Sequence, residues 1–405
     1  MNTVKAIKEK SAEYRIKTAE YLSEMVQIPS TSGEEREVIL KIKSQLESAG
    51  IRDLRIDGLG NLIARVGNGP KILAIDAHID TVDTGDPAQW EFPPFSGLIR
   101  DGFVHGRGTV DQEGGAAAMI TAARILNELQ YNGEYSVYFT FTVMEEDCDG
   151  LCWLYLIEKE KLIPDVAVIT EPTNLNLYRG HRGRMEIEID IKGLSAHGSA
   201  PERGRNVIYS GSRIALEIEK LHSRLRADDF LGKGSIAATQ FTTDSPSLCA
   251  IPDKGFMHID RRLTWGETKE SAVSEIIAVS GKDCSVAVPE YRRPSYTKMI
   301  FTQEKYFPTW MIPENHPLVR AGKACFSSLF EQEPYIDKWT FSTNGVAICG
   351  RYGIPCIGFG PGNEIYAHAP NEKVPVSDLE KAAAFYALLP YVLESNNPAD
   401  FNGKA

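Results

Sequence analysis

Apolar, strand-like segments alternate with helical patterns over the first 181 residues of the chain. Strands are predicted within 54–80, at 135–143 and at 164–171, and a helix rich in small residues is predicted at 113–129. Strands that alternate with helices favour an α/β fold, in which a mostly parallel mixed sheet is flanked by helices. The same alternation returns from residue 294 onward.

A different pattern occupies residues 182–293. Met185, Ile187, Ile189 and Ile191 alternate with charged side chains, which is typical of a strand with one buried face and one wet face. Two further strands are predicted at 234–243 and 255–262, and helices at 206–225 and 269–279. We therefore expect one α/β domain formed by residues 1–181 and 294–405. Residues 182–293 form an inserted α+β domain with an antiparallel sheet and two helices.

The composition argues against several classes of function. Hydrophobic residues make up 42% of the 405 residues and charged residues 24%, as is usual for a soluble globular protein. A net charge of −11 argues against nucleic-acid binding, which requires a basic face. No apolar run approaches the roughly 20 residues that span a bilayer, so no membrane partner is expected. The charged amphipathic N-terminus lacks the apolar centre of a signal peptide, and a cytoplasmic location is the default expectation.

Seven scattered cysteines, an odd number, favour free thiols. Cys148 and Cys152 have a spacing that could begin a zinc site, but no second cysteine pair follows at a suitable distance along the chain. A structural role is therefore the favoured interpretation of this pair.

Histidine and acidic residues stand at the ends of several predicted strands. His78 and Asp80 are two residues apart, so strand alternation would direct both to one side. Asp80 could then accept the proton of the far imidazole nitrogen while the near nitrogen binds a metal. Asp111 lies between a glycine-rich turn and the start of a helix, where an N-cap is the competing interpretation.

Three further segments carry side chains of the same kinds. Glu145 and Glu146 are adjacent in VMEEDCDGLC, Glu171 ends the strand of VITEPT, and His368 lies in a loop rich in Gly, Pro and Asn. Together the segments supply two histidines and three carboxylates: His78, Asp111, Glu146, Glu171 and His368. In parallel α/β sheets, functional groups gather at the carboxyl ends of strands. Nitrogen and oxygen ligands of this kind suit zinc, with cobalt or manganese as alternatives.

At these residues the chain resembles a family of dinuclear zinc amidohydrolases and metallopeptidases. This family includes acetylornithine deacetylase, succinyl-diaminopimelate desuccinylase, aminoacylases and related dipeptidases. The motifs stand in the family's order and span nearly the whole chain: HIDTV, GRGTVDQEGG, MEED, TEP, SAHGSAPERGRNVI, DRRLTWGET and FGPGNEIYAHAPNE. The DQEGG, STNGVAICGRYG and AHAPNEK segments are similar to a subgroup described as selenium-metabolism-linked hydrolases.

The resemblance implies two divalent metal ions in the domain formed by 1–181 and 294–405. Zinc is the expected metal, and cobalt or manganese is the alternative. The implied ligands are His78, Asp111 and Glu171 for one ion and Asp111, Glu146 and His368 for the other. Asp80 would orient the first histidine, and Glu145 would be the general base. A cis peptide bond is also implied after the bridging aspartate, between Asp111 and Gln112.

On the inserted domain, the resemblance implies a lid and a homodimer contact. In family dimers, the histidine that matches His197 reaches the partner's site and helps to stabilise the oxyanion. Asn206 and Arg262 fall where the family often binds a substrate carboxylate, although a helix cap and a structural ion pair explain them equally well. Asn344 is a third candidate contact, in a Ser-Thr-Asn segment where many members have Ser-Asp.

The implied reaction is hydrolysis of an amide bond in a small N-acyl amino acid by a water activated between two zinc ions, with Glu145 as general base. A dipeptidase or aminopeptidase of the same family is the alternative, because the sequence does not say which side of the bond is recognised. Gln112 and Glu113, which replace a frequent Met-Lys pair, also leave the substrate open. A metal-bearing binding protein without turnover agrees less well with the sequence, because such a protein need not keep Glu145 and His197, and both are present.

Overall fold

The computed structural model describes residues 3–395. Its α-helices are α1 (Thr3–Val26), α2 (Arg36–Ser48), α3 (Glu113–Glu128), α4 (Leu151–Glu158), α5 (Val207–Arg224), α6 (Lys269–Ser280), α7 (Pro317–Phe330) and α8 (Val376–Glu394). A π-helical segment covers Val346–Arg351, and short 3-10 helices cover Pro87–Gln89, Pro201–Arg203 and Glu364–Tyr366.

The strands are β1 (Leu54–Ile56), β2 (Leu62–Val66), β3 (Lys71–His78), β4 (Leu98–Arg100), β5 (Phe103–His105), β6 (Tyr135–Thr142), β7 (Val166–Ile169), β8 (Leu177–His181), β9 (Gly183–Lys192), β10 (Ala227–Asp228), β11 (Gly232–Lys233), β12 (Ser235–Asp244), β13 (Lys254–Leu263), β14 (Cys284–Ala287), β15 (Glu290–Tyr291), β16 (Gln303–Glu304), β17 (Tyr306–Phe307), β18 (Trp310–Met311), β19 (Ile336–Trp339), β20 (Cys356–Gly358) and β21 (Lys373–Pro375).

The main sheet is mixed and runs in the order β1-β2-β6-β3-β7-β20-β8-β18, with β19 also paired to β8. Parallel pairing joins the central strands β6, β3, β7 and β20, whereas β1, β2 and β18 pair antiparallel towards the edges. The central strands are buried along most of their length, as expected for parallel strands covered on both faces. The predicted mixed sheet with flanking helices is confirmed.

Helices α1, α3, α7 and α8 pack together, and α3 and α8 also contact strands of the main sheet. The small residues at the start of α3 allow this close approach. At Gly115, an added Cβ would lie 2.2 Å from the Oγ1 atom of Thr170, which follows β7. Within residues 3–395, no helix combines the length and the apolar character that a membrane crossing requires.

The second large sheet is antiparallel, in the order β12-β13-β9-β14, with β17 also paired to β9. The alternating residues of β9 form its buried face, and this face packs with apolar side chains of α5 and α6. The predicted antiparallel sheet and its two helices are therefore present. The boundaries at 182 and 293 stay a prediction, and β17 joins this sheet although it lies beyond residue 293.

Candidate metal centre

The candidate site lies at the carboxyl edge of the parallel strands. His78 is the last residue of β3, Glu171 follows β7 by two residues, and Glu145 follows β6 by three. Asp111 comes after β5, just before α3, and His368 follows the 3-10 helix Glu364–Tyr366. His78, Glu145 and Glu171 meet here because parallel strands end at the same edge of a sheet. Asp111 and His368 join them from the loops after β5 and after Glu364–Tyr366.

Asp111 lies between the two histidines. Its Oδ1 atom is 3.0 Å from Nε2 of His78, and its Oδ2 atom is 3.2 Å from Nε2 of His368. On one side, Nε2 of His78 is also 3.4 Å from Oε1 of Glu171. On the other, Nε2 of His368 is 3.1 Å from both carboxylate oxygens of Glu146. One carboxylate thus joins two groups of nitrogen and oxygen donors.

The donor atoms are close enough to hold cations. One ligand atom each from His78, Glu145 and Glu171 lies within 4.8 Å of the others, and the same is true of His78, Asp111 and Glu146. Oε1 of Glu145 and Oε2 of Glu171 are buried without a hydrogen-bond partner among residues 3–395. Unpaired carboxylate oxygens are costly to bury, and divalent cations would satisfy them. The residues therefore fit a divalent metal site.

The pKa values in the cluster show how strongly its charges interact. Burial, followed by the charge of Asp111, raises the pKa of Glu171 to about 8 and that of Glu146 to about 7. Burial alone would raise the pKa of Asp111, but hydrogen bonds from His368 and His78 outweigh it and hold that pKa below its ordinary range. The site therefore concentrates more negative charge than two histidines neutralise, which favours bound cations.

Asp80 holds the turn that carries the paired glutamates. Its carboxylate accepts hydrogen bonds from the backbone N–H groups of Glu145 and Glu146, at 3.1 and 3.0 Å, and from the Ser32 hydroxyl at 2.6 Å. Nδ1 of His78 lies 2.9 Å from the backbone carbonyl oxygen of Asp80 and 3.6 Å from its carboxylate. Asp80 therefore contacts the first histidine mainly through its main chain.

Glu372, which the sequence reasoning did not single out, holds the turn before Asp111. Its carboxylate accepts hydrogen bonds from the backbone N–H groups of Gly108, Val110 and Asp111, and it forms a buried ion pair with Arg107 at 2.7 Å. Glu372 is the last residue of the AHAPNE motif, which also contains His368, and this position could have identified it from the sequence. The implied cis peptide bond is present between Asp111 and the next residue.

A cavity of about 310 Å³ opens onto the cluster. Besides Glu145 and the five candidate ligands, it is lined by Asp149, Arg184, Arg262, Phe341, Ser342, Glu364 and Ala367. Of the predicted substrate contacts, only Arg262 lies on this wall. Arg184 was missed, although its position on the wet face of an alternating strand was a usable signal.

The other predicted contacts lie elsewhere. Asn206 caps α5, where its side chain accepts a hydrogen bond from the backbone N–H of Ile208 at 2.9 Å. Asn344 is buried, and its amide donates to Asp76 and Thr142. Its oxygen also accepts from the backbone N–H of Gly150. This placement disagrees with the expectation that Asn344 contacts substrate, because its polar atoms are all used inside the core.

His197 is exposed and lies outside the cavity of its own chain. It lines a separate surface recess with Ser195, Ala196, Ser247, Cys249 and Ala250. The structure therefore does not bring His197 to the metal cluster within one chain.

The cysteines are all free, as predicted. Cys148 and Cys152 are buried, and neither lines the cavity. The Sγ atom of Cys152 lies 3.1 Å from Oδ1 of Asn344, so this cysteine belongs to the packing behind the site.

His181 ties the end of β8 to the segment beside the cavity. Nε2 accepts hydrogen bonds from the Trp310 indole at 2.7 Å and from the backbone N–H of Thr343 at 3.1 Å. Burial lowers the pKa of His181 to about 4. The native state therefore resists a proton that the unfolded chain takes up below about pH 6.5.

We expect this residue to make stability depend on pH. As pH falls from about 6.5 to about 4, His181 should remove about 3 kcal/mol from the free energy of unfolding. The stability difference between wild type and His181→Gln should narrow by that amount over this window and stay constant above pH 7.5. Urea unfolding of both proteins at several pH values measures this difference in the free energy of unfolding. A difference that stays the same from pH 7.5 to pH 4 would contradict the neutral, buried state of His181.

Comparisons with known proteins identify the family of this chain. The profile of peptidase family M20/M25/M40 matches residues 74–391. The chain is 48% identical to the uncharacterized protein YgeY of Escherichia coli K12 over 389 residues, which cover 95% of this chain and 96% of that protein. It is 35% identical over 214 residues to a probable succinyl-diaminopimelate desuccinylase of Staphylococcus epidermidis, covering 51% of this chain and 52% of the relative.

A solved structure shows the same fold. The YxeP protein of Bacillus subtilis, named as a dinuclear metal-binding peptidase, aligns with a TM-score of 0.69 at 16% identity, covering 93% of this chain and 98% of that one. The resemblance to the dinuclear zinc hydrolases is confirmed, whereas the selenium-linked subgroup stays a prediction. The chain belongs to peptidase family M20/M25/M40 and is a hydrolase of amide or peptide bonds.

Proposed function

We propose that the protein hydrolyses the amide bond of a small N-acyl amino acid and that its cofactors are two divalent metal ions. Zinc is the first candidate for these ions. The observation that carries this proposal is the state of Glu145. Its carboxylate is buried on the cavity wall, Oε2 is 4.0 Å from Nε2 of His78, and Oε1 has no hydrogen-bond partner among residues 3–395. An unpaired carboxylate beside a metal cluster is what a general base requires.

The proposed metal ligands are His78, Asp111, Glu146, Glu171 and His368, with Asp111 shared. Divalent ions held there would supply Lewis acidity, both to the attacking water and to the substrate carbonyl. The fit rests on the shared carboxylate and on the unpaired oxygen of Glu171. The probable desuccinylase and the dinuclear metal-binding peptidase among the similar proteins support the same chemistry.

Glu145 is the proposed proton carrier. Its carboxylate takes a proton from the water as the oxygen attacks the carbonyl, and it then delivers that proton to the leaving amine. Burial is the main reason why the pKa of Glu145 lies well above its ordinary value, and a carboxylate with a raised pKa is a better proton acceptor near neutral pH. Asp80 fixes the position of this base through the backbone of the turn.

His197 is the proposed oxyanion donor, acting across a homodimer. Its Nδ1 atom accepts a hydrogen bond from the backbone N–H of Ser199 at 3.1 Å. In a neutral imidazole the proton then resides on Nε2, which leaves that nitrogen as a donor. Because His197 lies outside its own chain's cavity, it would act in the cavity of the partner subunit.

The surface of the inserted domain supports this homodimer. Among the described residues, β12 pairs only with β13, so one edge is open, and its residues 235–243 carry no charge. Leu216 and Tyr209 of the neighbouring helix α5 are 55% and 65% exposed. A long, uncharged edge beside an apolar helix face is unusual on a monomer, because it invites pairing with another strand.

A charge on this surface should separate the subunits. Leu216→Glu is expected to produce a monomer by analytical ultracentrifugation and to lower kcat by about 10²-fold, since His197 no longer reaches the partner's cavity. Ile277→Glu is the matched control and should keep the wild-type state, because Ile277 is also 55% exposed but lies on α6, which packs beside β14 at the other edge of the sheet. A Leu216→Glu monomer with full activity would refute the role of His197 across the dimer.

A dipeptidase or aminopeptidase activity is the second candidate, and Glu364 is the observation that favours it. This residue lines the cavity, and its Oε2 atom is buried without a hydrogen-bond partner among residues 3–395. A carboxylate at that position would accept hydrogen bonds from the free ammonium group of a dipeptide.

The free cysteines support a cytoplasmic site of action. Cysteines in secreted proteins are usually paired as disulfides, whereas the reducing cytoplasm keeps thiols free. All seven cysteines are unpaired, and four are buried: Cys148, Cys152, Cys325 and Cys356.

A substrate panel tests the proposed function. Enzyme purified without chelator and reconstituted with zinc, cobalt or manganese should be assayed on N-acetyl, N-succinyl and N-carbamoyl amino acids and on dipeptides. We expect turnover of N-acyl amino acids above that of dipeptides. Preference for dipeptides would favour the second candidate, and a metal-loaded enzyme that hydrolyses no amide would exclude both.

A further inference from the structure

Two arginines face each other across the inserted sheet. Arg184 of β9 and Arg262 of β13 are register partners in the antiparallel ladder, and both line the cavity. Directly opposed side chains project from the same face of a sheet, and like charges in such pairs are destabilising. The pair therefore needs acidic partners, and the two arginines obtain them differently.

Arg262 is already occupied. Its Nε and Nη2 atoms donate to the two carboxylate oxygens of Asp260, at 2.8 and 3.1 Å. This is the two-pronged contact in which arginine binds a carboxylate best. Arg262 therefore uses much of its carboxylate-binding geometry within the protein.

The guanidinium of Arg184 keeps more of its hydrogen-bonding capacity free for a substrate carboxylate. Its nearest acidic atoms, Oδ1 of Asp149 and Oε1 of Glu186, are 3.5 and 3.6 Å from Nη2, too far for strong hydrogen bonds. Its Nε atom is buried without a hydrogen-bond partner among residues 3–395. The guanidinium lies 4.7 Å from the ring centre of Phe307, which restricts its orientation.

Arg184 lines the same cavity as the proposed base, Glu145. Burial lowers the pKa of its guanidinium, but the carboxylates of Asp149, Glu186 and Glu145 outweigh burial and keep the group charged. Glu145 would deliver its proton to the leaving amine. In an α-amino acid, the carboxylate is attached to the same carbon as that amine, so an arginine near Glu145 is placed to receive it.

We propose that Arg184, more than Arg262, binds the free carboxylate of the amino acid that is released. This inference rests on the proposed function and narrows it, because the substrates are then N-acyl amino acids whose α-carboxylate is not amidated. Arg184 would be a specificity residue that contacts the substrate, and Arg262 would order the wall through Asp260.

A matched substrate pair tests this assignment. Zinc-reconstituted wild type is assayed on an N-acetyl amino acid and on the carboxamide of the same compound. We expect wild type to favour the carboxylate by about 100-fold in kcat/KM, and Arg184→Gln to reduce this preference to nearly none, mainly through KM. The preference is a ratio measured in one sample, so it does not depend on the folded fraction. Arg184→Lys should restore part of it.

Two variants separate Arg184 from general charge effects. Arg182→Gln removes a neighbouring positive charge that lies outside the cavity and donates to the Lys233 carbonyl, and it should keep the wild-type preference. Arg262→Gln should slow both substrates to a similar degree. The proposal is overturned if Arg184→Gln keeps the preference, if Arg262→Gln removes it instead, or if wild type does not discriminate. A metal-loaded wild type that hydrolyses no N-acyl amino acid of the substrate panel overturns the proposed function itself.

Discussion

Replacing Glu145 with glutamine is expected to lower kcat by about 10³-fold or more, while metal binding stays intact. Glutamine keeps the size of the side chain but cannot accept a proton, so the loss isolates proton transfer. The ligand set proposed above does not need Glu145, although its Oε2 atom lies 4.0 Å from Nε2 of His78. Steady-state kinetics and elemental analysis of the same preparation measure the two effects together.

Asp147→Asn is the matched control for Glu145→Gln. Asp147 lies two residues further along the same turn, but its carboxylate accepts hydrogen bonds from Tyr291 and Arg293 and does not line the cavity. Removal of that charge should leave kcat within about 3-fold of wild type. A Glu145→Gln enzyme with wild-type kcat would show that another group carries the proton. Loss of metal from this variant would instead make Glu145 a ligand.

Asp111→Asn is expected to have the other largest effect, because one carboxylate serves both halves of the cluster. Its two oxygens lie 3.0 Å from His78 and 3.2 Å from His368. A neutral amide binds divalent cations far more weakly than a carboxylate, so the metal content should fall below two ions per chain. Activity should fall by about 10⁴-fold, since binding and polarisation of the substrate carbonyl are lost together.

Elemental analysis and kinetics across a series of zinc concentrations test the Asp111→Asn prediction. Asp83→Asn, in the exposed turn after β3, serves as the control, because its carboxylate accepts a local hydrogen bond from the backbone N–H of Gly85 and does not line the cavity. Chelation of wild type should reproduce the loss, and added zinc should restore wild type but not Asp111→Asn. Two ions per chain and full activity in Asp111→Asn would contradict a shared ligand.

Much of the candidate site followed from local sequence. Strand ends can be located from apolar runs, and the carboxyl ends of parallel strands meet at one edge. The structure brings His78, Glu146 and Glu171 together in this way, whereas Asp111 and His368 reach them from loops. The order of the motifs along the chain carried the same information, because each motif marks one strand end or one loop.

What the sequence did not predict depends on side-chain direction and on non-local pairing. Alternation suggested that the Asp80 carboxylate faces His78, but β3 ends at His78, and alternation does not extend beyond a strand. Asn344 stands in a motif near the cavity, yet its side chain turns into the core. The importance of Arg184 depends on its register with Arg262, which lies 78 positions away and which only strand pairing reveals.

The cavity wall is divided between two parts of the fold, and this division has an evolutionary consequence. The proposed base and metal ligands stand at strand ends of the main sheet and in the loops that contain Asp111 and His368. Asp80 and Glu372 hold the backbones of Glu145 and Asp111. Arg184 and Arg262 stand on the inserted sheet. Mutations at the cavity-lining positions of this sheet can therefore change which substrates are accepted while the proposed base and metal ligands stay in place. Hydrolases that descend from one ancestor can therefore differ in substrate specificity while they keep the same proposed base and metal ligands.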